Sequence, residues 1–211
     1  MKLFSEDSIM GRIGSKLTEL MMLNIMFCIT VIPVFTFGAA CSALHYELLK
    51  IYRGENGKIV EEYLRAFKNN FKRGTAIWMI YLVWLIIIVI AALLFMGNSG
   101  DGGSVSIFVV CAVVYIWAMS LSWACIYNSR YDNPVIVSIR NGLVSVLKYP
   151  IASVSMLVMA ALSVVVFIVP QIAPLGLLIS ISLCAMPGTV LYSRVFDELE
   201  GKDKDGEDRE E

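Results

Sequence analysis

The polar side chains best placed to do chemistry in this chain lie in its first apolar run. They belong to Asn24, Thr36, Ser42 and His45, and they lie in or near a short stretch from Pro33 to Gly38. The candidate residues are therefore Asn24, Pro33, Thr36, Gly38, Ser42 and His45. Proline removes a backbone donor and glycine tolerates left-handed angles, so this stretch is expected to interrupt a helix. Backbone carbonyls and hydroxyls at an interruption within a membrane could coordinate a solute or contact a partner. These residues form the candidate broken-helix site, although hydroxyls in spans more often bond a carbonyl of their own helix.

The sequence lacks the patterns of catalytic and metal sites. His45 is the single histidine, and the five cysteines (Cys28, Cys41, Cys111, Cys125 and Cys184) lie in apolar runs without C-x-x-C spacing. Cysteine in such surroundings behaves as a small hydrophobe. The sequence contains no H-E-x-x-H motif and no cluster with metal-ligand spacing. We therefore predict no catalytic residue, no cofactor and no metal, and we do not expect an enzyme.

Long stretches without Asp, Glu, Lys or Arg define the elements that carry these residues. They are Leu20–Tyr46, Thr75–Met96, Val105–Tyr127, Tyr149–Val169 and Ile172–Tyr192. The later four are each long enough to cross the roughly 30 Å hydrocarbon core of a bilayer. The sequence predicts an all-α, polytopic transmembrane helical bundle with four full spans and a broken or re-entrant N-terminal segment. Residues 1–196 are expected to form one membrane-embedded domain, followed by an acidic, disordered cytoplasmic tail over 197–211.

The 17 Lys and Arg residues predict the orientation, because positive residues near span ends mark the cytoplasmic side. The connections Gly97–Ser104 and Pro170–Pro174 contain none and are expected outside. A single span over Leu20–Tyr46 would place the basic N-terminal residues outside, against this rule. A chain that turns back at Pro33–Gly38 keeps both termini in the cytoplasm. A kinked single span with an outer N-terminus is the alternative.

Two basic segments have the periodicity of amphipathic helices lying along the cytoplasmic face of the membrane. In Ile59–Arg73, aromatic residues recur opposite charged ones. In the second segment Asn133 is predicted to be the N-cap and Pro134 the first helical residue. Its predicted apolar face consists of Ile136, Ile139, Leu143, Val146 and Leu147. The candidate interface residues of the two helices are Tyr63, Phe67, Phe71, Arg140 and Asn141.

Each of these helices precedes a span, a short outer turn and a second span. The two units are offset by about 72 residues, which raises the hypothesis of a parallel internal repeat.

The segment from Asn24 to Leu44 ends in Ile-Pro-Val-Phe-Thr-Phe-Gly-Ala-Ala-Cys-Ser-Ala-Leu. Together with Tyr46-Glu-Leu-Leu-Lys50 and Ala66-Phe-Lys-Asn-Asn-Phe-Lys72, it resembles the YesL-like family of small bacterial membrane proteins. The segment Tyr131-Asp-Asn133, and Pro187 with Arg194, also fit the layout of that family. The chain departs from it at Ala39–Cys41, where a proline-containing variant is expected. The resemblance implies a protein of Gram-positive bacteria, often encoded near sugar ABC-transporter permeases and polysaccharide-degrading enzymes, with no established catalytic activity.

The leading functional hypothesis is a non-catalytic, multi-pass accessory protein of the bacterial cytoplasmic membrane. Its expected partners are the lipid bilayer and permease subunits of a carbohydrate ABC transporter or another component of a polysaccharide-utilisation system. Nucleic acid is not an expected partner, because no basic face is large enough to bind phosphates along a strand. A small solute transporter or channel is the alternative. The four later runs contain no acid or base, which argues against an ion-coupled carrier.

Overall fold

The computed structural model of the chain describes residues 9–55, 57–98, 103–168, 180–182 and 185–197, and every regular element in these ranges is helical. The elements are α1 (Ile9–Val31), a 3₁₀ turn (Val34–Thr36), α2 (Phe37–Arg53), α3 (Ile59–Asn98), α4 (Gly103–Arg130), α5 (Val135–Lys148), α6 (Pro150–Ile168) and α7 (residues 185–197). This confirms the all-α prediction. The predicted outer turn Pro170–Pro174, the first part of the predicted last span and residues 198–211 of the predicted tail lie outside the described residues.

Several helices are long and apolar enough to cross a membrane. Among the described residues they are Gly14–Val31, Ile59–Phe95 and Ile107–Arg130, and the bent pair of α5 and α6 provides a fourth if it is counted as one span. The chain is therefore a helical membrane bundle, as the sequence predicted. Large apolar side chains cover the outer surface of α3 and α4, as expected for helices surrounded by lipid.

The predicted surface helix Ile59–Arg73 is the first part of α3, and it runs into the following span without a break. The prediction of a separate helix here was wrong. Gly74 follows Arg73, but an isolated glycine costs a helix only about 1 kcal/mol and does not end it. With 40 residues, α3 is about 60 Å long, twice the thickness of the hydrocarbon core. The basic first part therefore extends beyond the apolar part of the same helix.

The first apolar run is broken where the sequence predicted it. The helix α1 ends at Val31, and Pro33 has extended angles (φ −77°, ψ 101°) before the 3₁₀ turn leads into α2. The rings of Phe27 in α1 and Phe37 in α2 meet edge-to-face, with centroids 6.5 Å apart. Leu20 and Leu23 share one buried cluster with side chains from α2 and α3. The two helices therefore pack against each other.

A close contact between two glycines joins α2 to α3. A Cβ atom on Gly38 would lie 2.1 Å from the carbonyl oxygen of Gly74, and a Cβ on Gly74 would lie 2.7 Å from Ala39 Cα. The two backbones can approach this closely only because both side chains are hydrogen atoms. The run of small residues that begins at Gly38 thus forms an internal helix contact in this chain.

The helix α5 begins one residue later than predicted. Pro134 is itself the N-cap, with ψ 147°, and its carbonyl oxygen accepts bonds from the backbone N–H groups of Val137 and Ser138. Asn133 is therefore not the N-cap. The proline ring fixes φ near the helical value, but the extended ψ of Pro134 keeps it outside the helix.

The buried side of α5 consists of small residues. Ser138, Gly142 and Ser145 pack inward, and a Cβ on Gly142 would lie 2.7 Å from the Ser120 carbonyl oxygen in α4. Of the predicted apolar face only Val146 is buried, whereas Ile136 and Leu147 are 77% and 76% exposed. In lipid, large apolar side chains gain no hydrophobic free energy by facing inward, because the lipid tails are equally apolar. Small residues, in contrast, allow closer packing of the helices.

The chain bends by 99° between α5 and α6, at Tyr149 and Pro150. The equivalent junction of the first unit, at Arg73 and Gly74, is continuous helix. Pro150 lacks the N–H that a continuing helix needs, and it disfavours a helical conformation at Tyr149. The two halves of the hypothetical repeat therefore differ in form at this point.

Candidate functional site

A buried chain of hydrogen bonds connects α2, α3 and α4. The Ser42 hydroxyl donates to the Gly38 carbonyl oxygen (2.9 Å) and accepts a bond from Asn128 Nδ2 (3.0 Å). Asn128 Nδ2 also approaches Asn70 Oδ1 (3.4 Å), and Asn70 Nδ2 donates to the Ala66 carbonyl oxygen (3.0 Å). Ser42, Asn70 and Asn128 are all buried. Polar contacts between helices in an apolar interior hold the register of the helices relative to one another.

This chain of bonds determines which way the Asn128 amide points. Ser42 has one hydroxyl hydrogen, and the Gly38 carbonyl oxygen takes it, so Ser42 must accept from the NH₂ group of Asn128. Asn128 Oδ1 then lies on the other side of the amide. It is buried and has no hydrogen-bonding partner among the described residues. A buried acceptor without a donor costs about 1–3 kcal/mol, so this oxygen is suited to a bound donor.

At the break, the candidate residue Thr36 bonds to neighbouring backbone. Its hydroxyl lies 2.5 Å from the Thr30 carbonyl oxygen and 2.6 Å from the Pro33 carbonyl oxygen, and its backbone N–H donates to Pro33 O over 2.8 Å. Thr36 is buried, whereas Pro33 is exposed. The threonine therefore supplies donors to carbonyl groups that the interrupted helix leaves without their usual partners.

The other two polar candidates contact the C-terminal part of the chain. Asn24 Oδ1 accepts a bond from the Ser182 backbone N–H over 3.2 Å. The ring of His45 meets the ring of Tyr192 edge-to-face with centroids 5.7 Å apart, and the Tyr192 hydroxyl lies 3.5 Å from His45 Nδ1. The structure thus joins Gly38 to Ser42 and Pro33 to Thr36 directly, while Asn24 and His45 bond to residues outside the candidate set.

A cavity of about 360 Å³, here called the basic cavity, opens beside the buried amides. Its wall comes from α2, the first part of α3, the end of α4 and the residues that follow α4. Asn69, Asn70 and Asn128 provide amides to its lining. Its charged side chains are Lys50, Glu62, Arg65, Arg73, Arg130 and Asp132.

Two ion pairs are formed by side chains that line the basic cavity. Lys50 Nζ bonds to Glu62 Oε2 between α2 and α3, and Arg73 bonds to Asp132 between α3 and the segment after α4. The hydrogen bond to Glu62 raises the pKa of Lys50, so its ammonium group stays charged. These pairs position four charges around the cavity without filling it.

Glu47 is a buried carboxylic acid on the same helix as Lys50. It is 2% exposed, and its Oε1 has no hydrogen-bonding partner in the described part of the chain. Burial raises the pKa of Glu47 to about 7, and the negative charge of Glu62 adds to the increase while Lys50 opposes it. Glu47 therefore changes protonation near neutral pH.

The five candidate interface residues differ in accessibility. Tyr63 is buried, and its hydroxyl lies 2.7 Å from Thr30 Oγ1 in α1. Phe67 is half-buried and meets Phe71 edge-to-face at 5.6 Å, with Phe71 exposed. On α5 Arg140 is exposed and Asn141 half-buried. Tyr63 packs within the bundle, and the other four reach its surface to different degrees.

Sequence reasoning missed the two asparagines at the centre of the polar chain. Asn128 comes directly after the run Val105–Tyr127, and Asn70 is one of two adjacent asparagines in the basic part of α3. An amide at the end of an apolar run is a signal for an interhelical hydrogen bond. It does not identify the partner, because Ser42 is 86 residues away.

No group of three or more His, Cys, Asp or Glu side chains in the described ranges is arranged to hold a metal ion. Cys28, Cys41, Cys111 and Cys125 are free thiols, and Cys184 lies outside the described residues.

Residues 20–92 match the model of a family described as "Protein of unknown function, DUF624". The matched segment includes the break at Pro33, the contact between Gly38 and Gly74, and most of α3. No curated protein and no solved structure matches the chain.

Proposed function

We propose that this chain is a non-catalytic accessory protein of the bacterial cell membrane that acts by helix–helix contact with a membrane partner. The proposal rests on the hydrogen bonds that the buried polar groups form within the chain itself. Ser42 bonds to Asn128, Thr36 bonds to backbone at the break, and Asn24 bonds to Ser182. Because these groups already stabilise contacts among the chain's own helices, a scaffold is the simplest role for the bundle.

The outer faces of α3 and α4 offer the surface for a partner. Their exposed side chains are large and apolar, and they include Val83, Ile86, Ile90, Leu93, Leu94, Phe108 and Val113. Such faces contact either lipid or another membrane protein, and the choice depends on packing and not on hydrophobicity.

A permease subunit of a carbohydrate ABC transporter is the proposed partner. The support is the resemblance to the YesL-like family, whose best-matching residues lie inside the segment 20–92 matched by the DUF624 model. The Lys and Arg residues flanking the spans support a cytoplasmic location for both termini.

The contact is tested by placing a photo-crosslinking amino acid at Leu93, which is 67% exposed, in the chain expressed in its own bacterium. The matched control is Ile77, which is fully buried on the same helix. We expect crosslinks to a transporter permease from position 93 and none from position 77. Crosslinks to lipid alone, together with normal sugar uptake in a deletion strain, would count against the accessory role.

The orientation is tested with a single cysteine introduced as Ser5→Cys in a chain whose five native cysteines are replaced. A membrane-impermeant maleimide added to intact cells should leave this position unlabelled and should label it after permeabilisation. Labelling in intact cells would place the N-terminus outside.

A small solute transporter remains the second candidate. It is favoured by a mostly apolar cavity of about 350 Å³ whose lining includes Phe37, His45, Met156 and Tyr192. Reconstituted liposomes distinguish the two functions, because a transporter alone would give solute flux without a partner protein.

A further inference from the structure

One side of α4 packs along α2 in the interior of the bundle. Asn128 bonds to Ser42, and Ser122 lines the mostly apolar cavity to which Cys41 also contributes. Cys125 lies between these two positions of α4, is fully buried, and belongs to the cluster against which Cys41 packs. Residues three positions apart are neighbours on one side of a helix, so Cys125 faces α2 as Asn128 and Ser122 do. These contacts place Cys125 next to Cys41.

The two thiols contact each other, and a histidine contacts one of them. The Cys41 thiol is hydrogen-bonded to the Cys125 thiol and to the ring of His45, which lies one helical turn further along α2. Both thiols are free, and Cys41 is half-buried and reaches the cavity, whereas Cys125 is fully buried behind it. A histidine next to a thiol favours the thiolate, which is the nucleophilic form of cysteine. Cys41 is therefore the thiol that a reagent in the cavity meets first.

The cavity beside Cys41 has an apolar body and a small polar group. Its volume is about 350 Å³, and apolar side chains such as Phe27, Leu44 and Met156 line it. Among its polar side chains, His45 contacts the Cys41 thiol, and the Tyr192 hydroxyl lies 3.5 Å from His45 Nδ1. A mostly apolar site with a few converging polar groups fits a hydrocarbon molecule with one polar end. A hydroperoxide on a lipid acyl chain has both features, and it oxidises thiols.

We propose that Cys41 and Cys125 form a dithiol that an acyl hydroperoxide in this cavity oxidises to a disulfide between α2 and α4. His45 takes the proton of the Cys41 thiol, and the thiolate attacks the terminal oxygen of the hydroperoxide. The O–O bond breaks, the alcohol leaves with the proton from His45, and Cys41 becomes a sulfenic acid. The Cys125 sulfur then attacks the Cys41 sulfur, and the S–O bond breaks as the hydroxyl leaves with the Cys125 proton as water. The two thiols together lose two electrons, and the hydroperoxide is reduced to an alcohol and water.

This reaction modifies the chain itself and needs no turnover, so it does not rest on the proposed accessory role. The disulfide would join α2 to α4 beside the hydrogen bond between Ser42 and Asn128. In a reducing compartment such a bond is transient and reports oxidation. The dithiol is thus a site at which lipid oxidation would change how the broken N-terminal run is held in the bundle.

The proposal is tested on the full-length chain in nanodiscs, reduced and then freed of reductant. Cumene hydroperoxide is the apolar probe, and hydrogen peroxide is the hydrophilic one. Remaining thiols are blocked with N-ethylmaleimide, and disulfides are mapped by proteolysis and mass spectrometry. We expect a crosslink between Cys41 and Cys125. Cys28 is the internal reference for partition into lipid, because it is half-buried and does not line the cavity.

The ratio of the oxidation rates with cumene hydroperoxide and with hydrogen peroxide measures the role of the cavity. We expect this ratio to be about tenfold higher at Cys41 than at Cys28, because burial of the hydrocarbon group holds the apolar probe beside Cys41.

Three variants separate the steps of the reaction. Cys125→Ala should abolish the disulfide and leave a sulfenic acid at Cys41, which dimedone traps. Cys28→Ala is the matched control and should form as much disulfide as the parent. His45→Gln should slow the oxidation of Cys41 at least about tenfold, because glutamine can donate and accept hydrogen bonds but does not take up the thiol proton.

Absence of the crosslink from the oxidised parent chain would overturn the proposal, and this result does not depend on the folding of any variant. Crosslinking of Cys41 to a cysteine other than Cys125 would overturn it as well. Equal rate ratios at Cys41 and Cys28 would overturn the role of the cavity. An unchanged rate in His45→Gln would overturn the role of the histidine.

Discussion

Asn128 Nδ2 at the end of α4 donates a hydrogen bond of 3.0 Å to Ser42 Oγ in the middle of α2, within the buried interior of the bundle. The Ser42 hydroxyl in turn donates a hydrogen bond to the Gly38 carbonyl oxygen. Gly38 lies at the close backbone contact between α2 and α3. One side-chain pair therefore links the broken N-terminal run to the basic cavity. The Ser42 hydroxyl, in the run of small residues of α2, therefore takes part in the contact between α2 and α4.

Ser42→Ala should destabilise the folded chain by about 1–3 kcal/mol, because it removes the closer acceptor of the buried Asn128 amide and leaves it only the 3.4 Å contact to Asn70 Oδ1. Thermal unfolding in detergent, followed by helix content, measures the change. Ser122→Ala is the matched control, since among the described residues the Ser122 hydroxyl bonds only to the Ala118 carbonyl oxygen of its own helix. Equal melting temperatures for the two variants would contradict an interhelical role for Ser42.

Gly38→Ala should also lower stability, by about 1–3 kcal/mol, because the added methyl group would overlap the Gly74 carbonyl and push α2 from α3. Gly14→Ala provides the comparison, since no atom lies within 4 Å of the position of its added Cβ. That variant should be neutral or slightly more stable, as expected for alanine in a helix. A Gly38→Ala protein as stable as the parent would show that the two helices do not approach this closely.

Thr36→Val should cost about 1 kcal/mol, because the valine side chain has no hydroxyl to donate to the Thr30 and Pro33 carbonyl oxygens at the break. Thr18→Val removes a similar bond to the Gly14 carbonyl oxygen on an exposed helix surface and should have a smaller effect. Thermal unfolding and liposome flux are measured on the same preparations. Unchanged stability with loss of a solute flux would favour the transporter over the accessory protein.

Stability should depend on pH through Glu47. Its pKa is about 7 in the folded chain against 4.5 as the reference value, so the folded state binds more protons between these two values. The free energy of unfolding therefore falls as the pH rises from about 4.5 to about 7, and the penalty of up to about 3 kcal/mol is complete above that range. Glu47→Gln should remove this dependence, with the greatest gain in melting temperature at pH 8.

The control for this experiment is Glu55→Gln, which changes an exposed carboxylate in the turn after α2. Its melting temperature should follow that of the parent at every pH. A pH profile of Glu47→Gln that runs parallel to the parent's would mean that Glu47 is ionised in the folded state with the reference pKa.

The break of the first run could be predicted from the sequence, because proline and glycine act on the backbone through local geometry. The predicted N-cap of α5 differed by one residue, since Asn133 and Pro134 can both precede a helix and only the observed ψ of Pro134 decides between them. The membrane bundle itself follows from runs without charge, whose lengths match the bilayer whatever the packing. These features depend on residues that are neighbours in the chain.

Which side of each helix faces inward was decided by tertiary packing. In lipid the small residues of α5 pack inward and Leu147 faces outward, so hydrophobic periodicity does not identify the buried face. Tyr63 is buried although its neighbours predicted a surface stripe, because α1 supplies a partner for its hydroxyl. The pairing of Ser42 with Asn128, 86 residues apart, depends on how three helices come together, which no local pattern encodes.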